Sequence, residues 1–96
     1  MTLIKYSKRA LADLESIYLT ISKDKKSVAD NFINKIDNYI ALLESNPFMG
    51  KDCRKKGFKK DCRVIIYDAH YMIFYKITTQ HITIQRVVNT KQNYKG

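Results

Sequence analysis

Beyond a short opening segment, the hydrophobic periodicity of this chain changes once, and that change limits the folds open to it. Up to Asn46-Pro47 the apolar residues recur at helical spacing; from Cys62 onward they alternate or run together as in strands. A helical first half joined to a strand-forming second half buries both sets of apolar side chains only by laying helices on a sheet.

Residues 2–6 alternate and read as a short strand. Ser7 is placed to cap a helix, after which Leu11, Leu14, Ile17, Tyr18 and Ile21 fall on one face as far as Ser22. A charged connector follows. A second helix is expected from Ser27, with Asp30 in capping-box position. Its core face is Ala29, Phe32, Ile33, Ile36, Ile40 and Leu43. Asn46-Pro47 ends it, because the residue before proline is driven out of the helical region. Two helices joined by so short a loop form an antiparallel hairpin.

After a turn at residues 47–50 comes a basic stretch, residues 51–63, with seven Lys/Arg against two Asp. It reads as an exposed loop running into a strand. Residues 62–67, 71–77 and 81–88 are three strands with short turns between them, which dictates an antiparallel meander. The nearly all-apolar middle strand belongs in the centre of the sheet. Tyr71 and Tyr75 share one face of it and read as packing residues. Residues 89–96 form a polar tail. The expected fold is α+β in the order β-α-α-β-β-β, a helix hairpin on a mainly antiparallel four-stranded sheet, with residues 1–96 as one domain. Function is expected on the sheet face away from the helices, with the basic loop and the tail.

Charge sharpens that expectation. Of a formal +9, residues 1–50 carry a net +1 and residues 51–96 a net +8. Such asymmetry calls for an anionic partner. The first six residues are too short and too soon charged for a signal peptide, and no apolar run approaches the ~18 residues of a spanning helix. A cytoplasmic protein without membrane contact is expected, with Cys53 and Cys62 as free, reduced thiols. Two histidines and two cysteines in no ligand spacing imply no metal and no cofactor.

Four segments, in this order, resemble the RelE/ParE superfamily of toxins from bacterial type II toxin–antitoxin systems. They are Ala12-Asp13-Leu14-Glu15-Ser16-Ile17-Tyr18, Leu43-Glu44-Ser45-Asn46-Pro47-Phe48-Met49-Gly50, Tyr71-Met72-Ile73-Phe74-Tyr75 and Arg86-Val87-Val88-Asn89-Thr90-Lys91. The resemblance implies one of two activities. RelE-like members cleave messenger RNA on the ribosome; ParE-like members inhibit DNA gyrase and are not enzymes. The nuclease branch places an arginine where this chain has Met72 and alternating lysines where it has Val64, Ile65 and Ile66. Its arginine–tyrosine pair in the tail is here Lys91 and Tyr94, more closely spaced.

The ParE-like branch is therefore the expectation: inhibition of gyrase and replication, a role in plasmid stabilization, and neutralisation by a cognate antitoxin through which alone operator DNA is bound. Under that reading Arg63, Arg86, Lys91 and Tyr94 contact the target, while Lys51, Arg54, Lys55, Lys56, Lys59 and Lys60 form the basic surface for an acidic antitoxin segment. Arg86 has a second reading as the partner of an acidic neighbour. The alternatives are a ribosome-dependent mRNA endonuclease using His70, Lys91, Tyr94 and Arg63, and an inactive toxin remnant that keeps antitoxin binding.

Overall fold

The computed structural model describes residues 3–57 and 61–91. The chain runs β1 (Leu3–Tyr6), α1 (Lys8–Ser22), α2 (Lys26–Ala41), a 3₁₀ turn (Leu42–Glu44), β2 (Lys51–Asp52), a second 3₁₀ turn (Cys53–Lys56), β3 (Arg63–Tyr67), β4 (Tyr71–Ile77) and β5 (His81–Asn89). Among the described residues the sheet has five strands in the order β1-β5-β4-β3-β2. β1 lies parallel to β5, and all other pairs are antiparallel. The α+β class and the helix hairpin are as the sequence predicts; the fourfold strand count is not. Two residues of the basic segment, Lys51 and Asp52, pair with Val64 and Arg63 and add an edge strand. So short a strand carries no periodicity to read.

Ser7 caps α1 as expected: its Oγ accepts the Ala10 N–H at 3.0 Å and donates to the Gln85 carbonyl at 3.1 Å. The second cap is different. α2 begins one residue early, behind an extended Lys25 with no side-chain cap bond. The connector is tight, with the Asp24 and Lys25 N–H groups both donating to the Ile21 carbonyl, so the chain re-enters a helix before Ser27. Asp30 is used elsewhere and accepts the Tyr18 hydroxyl at 2.6 Å, joining the two helices. Leu11, expected in the core, is 53% exposed, and Ala10 beside it is buried instead.

Two apolar clusters lie on opposite faces of the sheet. Ala10, Ile36, Ile40, Leu43, Ile65, Ile73, Tyr75, Ile82, Ile84 and Val87 form the helix-side core. Cys53, Cys62, Val64, Phe74 and Val88, with Met72 against them, form a smaller one behind it. The two cysteines are joined in a disulfide, which corrects the expectation of free thiols. The free-thiol reading follows from the expected compartment and takes no account of the fold: the 3₁₀ turn brings Cys53 back until its Cα lies 5.3 Å from that of Cys62, within disulfide range. The Cys53 N–H also donates to the Cys62 carbonyl at 2.9 Å. The basic segment is thus a cross-linked flap on the sheet, not a simple exposed loop.

The β4–β5 register passes from Phe74↔Arg86 to Tyr75↔Ile84 and skips Gln85. This bulge changes the phase of β5. Ile82 and Ile84 face the helices before it, Val87 does so after it, and Val88 turns to the rear.

Candidate functional site

Asp13 and Arg86 meet where the bulge brings β5 against α1. Arg86 Nε donates to Asp13 Oδ2 at 2.7 Å and Nη2 to Oδ1 at 3.2 Å, and the Val87 N–H reaches Oδ2 at 2.9 Å. The side chains are 22% and 13% exposed respectively. A two-pronged guanidinium–carboxylate contact of this kind fixes orientation as well as charge. It bears out the reading of Arg86 as the partner of an acidic residue and forms the floor of a groove of about 250 Å³. Ser16, Ile17, Thr20 and Ile21 of α1 form one wall, and Tyr71, Val87 and Asn89 the other.

The second surface surrounds the turn before β2. The Tyr75 hydroxyl is fully buried; it donates to the Pro47 carbonyl at 2.8 Å and accepts the Gly50 N–H at 2.9 Å. Burial raises its pKa, and the Gly50 N–H and the Arg63 charge work in the opposite direction. A Cβ on Gly50 would stand 2.5 Å from that oxygen, so only glycine fits. Arg63 donates from Nη1 to the Gly50 carbonyl at 2.6 Å, and its guanidinium lies 4.9 Å from the centre of the Phe48 ring. Phe48 itself is 68% exposed. Sequence reasoning passed over this residue, since an aromatic beside Pro47 reads as turn packing.

The other expected site residues are distributed as follows. Lys51, Arg54, Lys55 and Lys56 are exposed on β2 and the 3₁₀ turn that follows it. His70 is exposed and is the last of the three turn residues between β3 and β4, of which Asp68 and Ala69 both have positive φ. Its carbonyl accepts the Thr90 N–H at 2.7 Å, which docks the segment leading to Lys91. Lys91 is exposed, with its N–H on Asn89 Oδ1 at 2.8 Å. Lys59, Lys60 and Tyr94 lie outside the described residues. His70 and Lys91 therefore gather at one end of the β3–β4 hairpin. Arg63 sits at the other, four residues away along β3, roughly 13 Å at strand rise. Met72 packs on the rear cluster. Among the described residues no group of three His, Cys, Asp or Glu side chains is placed to hold a metal ion, and no helix is long and apolar enough to cross a membrane.

A chain from the chromosomal ParDE toxin–antitoxin system of P. aeruginosa superposes with a TM-score of 0.77 at 19% identity, over 95% of this chain and 98% of that one. At that identity the likeness is one of fold. No curated protein matches the sequence. The family model for the ParE toxin of type II toxin–antitoxin systems, parDE, matches residues 4–94. With nearly the whole sequence inside that match, the chain belongs to the ParE toxin family.

Proposed function

We propose that this protein is a toxin that acts by binding DNA gyrase in the cytoplasm and halting replication, with residues 1–96 as one functional unit. The observation that carries a binding role over a catalytic one is the dispersal of the candidate acid–base and phosphate-holding groups. RNA cleavage needs a base, an acid and cations around one phosphate. Arg63 is held by the Gly50 carbonyl, Arg86 by Asp13, and His70 lies at the far end of the hairpin from Arg63. The central-strand position that is arginine in the nuclease branch is Met72 on an apolar cluster.

The groove over Asp13 and Arg86 fits the apolar side of an antitoxin helix. Ile17 and Ile21 line it. An antitoxin seated there neutralises the toxin and links it to operator DNA.

Pulse-labelling of DNA and protein synthesis just after induction in a bacterium tests the proposal. DNA synthesis is expected to fall first, with protein synthesis following. An early collapse of protein synthesis would point to the ribosome and overturn the gyrase assignment.

A further inference from the structure

The second surface has a feature that a gyrase-binding toxin does not require. Two clefts share Asp52 and Arg63 as a common wall. One is bordered by the exposed ring of Phe48, and the other by Lys51, Lys55 and Lys56. The clefts therefore run on from each other, with an aromatic face at one end and three solvated ammonium groups at the other.

We propose that this continuous cleft binds a single strand of nucleic acid, with a base stacked on Phe48 and the adjoining phosphates on Lys51, Lys55 and Lys56. Sequence-tolerant single-strand binding needs these two ingredients together, a cationic track and an aromatic ring on which any base can lie. Arg63 beneath the ring holds it in place. Its guanidinium lies 4.9 Å from the ring centre, and its own position is set by the Gly50 carbonyl, which Tyr75 in turn anchors through the Gly50 N–H. The disulfide holds the other wall, because Cys53 opens the 3₁₀ turn that carries Lys55 and Lys56 and is tied to Cys62 beside Arg63. The acidic groups of the cleft are Asp52 and Asp61. Asp52 is occupied in part as a cap, accepting the Arg54 N–H at 2.9 Å.

A duplex offers no free base to an exposed ring, and an acidic peptide has no aromatic plane to stack. Those two ligands are the competing outcomes. The cleft lies at the β2–β3 edge of the sheet and shares no lining residue with the Asp13–Arg86 groove between α1 and β5, so an antitoxin helix in that groove leaves it open.

The test is fluorescence anisotropy of the intact protein with a labelled oligothymidylate of about twelve nucleotides, over a salt series. Binding in the micromolar range is expected. Phe48→Ala should weaken it roughly tenfold, in line with the loss of one stacked base. Lys55→Glu/Lys56→Glu should weaken it at least tenfold and reduce the slope of log K against log salt by about 1.4, the value for two lost phosphate contacts. Lys25→Glu/Lys26→Glu, which removes equal charge at the helix hairpin, should cost less than threefold. All the variants change exposed side chains, and circular dichroism checks that each is folded. The proposal is overturned by equal losses in the two charge variants, by no effect of Phe48→Ala, by equal or tighter binding of a blunt duplex or an oligoglutamate of the same length, or by no binding at low salt. None of these outcomes depends on gyrase, so this proposal and the gyrase assignment fail separately.

Discussion

Tyr75 shows how one side chain positions a whole surface. Its hydroxyl bridges the Pro47 carbonyl and the Gly50 N–H, and through Gly50 it sets the carbonyl that holds Arg63. Replacing it by phenylalanine keeps the ring and deletes the bridge. The Gly50 N–H is then left in a buried turn without its acceptor, a loss of about 1–3 kcal/mol. Tyr75→Phe is therefore expected to lower the free energy of unfolding in urea by that amount at unchanged m-value, and to loosen Phe48 and Arg63 enough to weaken oligonucleotide binding as well. A loss of stability with binding intact would mean that Arg63 holds the ring without help from the turn. Asp13 and Arg86 are a different case. Removing Arg86 alone strands a mostly buried carboxylate that keeps only the Val87 N–H. Loss of toxicity in Arg86→Ala is thus no proof of target contact unless the variant is shown to be folded.

At the scale of elements, the legible part of the fold is the part with a period. Ser7, the α1 boundaries and the three-stranded meander are all read from patterns several residues long, and all stand, while α2 gives way to a 3₁₀ turn at Ala41, before the expected stop at Asn46-Pro47. What was illegible is set by contacts distant in sequence. Nothing in Lys51-Asp52 signals a strand until Arg63 and Val64 lie beside it. The parallel pairing of β1 with β5 and the bulge at Gln85 depend on the same kind of contact. The site divides likewise. Arg86 and Asp13 both lie in segments that carry the family resemblance, but their contact is not legible there, and a free-thiol reading argued from compartment takes no account of the turn that brings the two cysteines together. The cross-link carries its own prediction. Closing a loop of this length lowers the entropy of the unfolded chain by an amount worth about 2.5 kcal/mol on the chain-entropy model. Cys53→Ser/Cys62→Ser, or the native protein in a phosphine reductant, should therefore lose about that much in chemical denaturation. Helix content should be unchanged, because the helices rest on the other face of the sheet. An unchanged midpoint would show that the flap is held by its apolar contacts alone.

For the whole molecule, tyrosine hydroxyls tie the elements together. Tyr6 of β1 reaches Asp37 of α2 at 2.6 Å, Tyr18 of α1 reaches Asp30 of α2 at 2.6 Å, and Tyr39 of α2 reaches the Ile66 carbonyl of β3 at 2.9 Å. Each donates, so each must keep its proton. Burial, and after it the Asp37 carboxylate, raise the pKa of Tyr6 far above its ordinary value. The hydrogen bond to Asp30 raises that of Tyr18, and burial followed by the Asp68 charge raises that of Tyr71. With Tyr75, these groups hold their protons more tightly folded than unfolded, where they titrate near 10.0. The sign follows from linkage: the stability they contribute is complete below about pH 10 and is lost as pH rises through the higher folded values. General charge repulsion gives a different profile. The sequence pI is about 9.6, so repulsion is weakest just where the tyrosine-linked loss begins. Urea midpoints should hold steady as pH approaches 10 and then fall. Tyr6→Phe removes the most strongly shifted of these groups and should flatten the fall. An identical alkaline profile in that variant would assign the loss to lysine neutralisation or to attack on the disulfide.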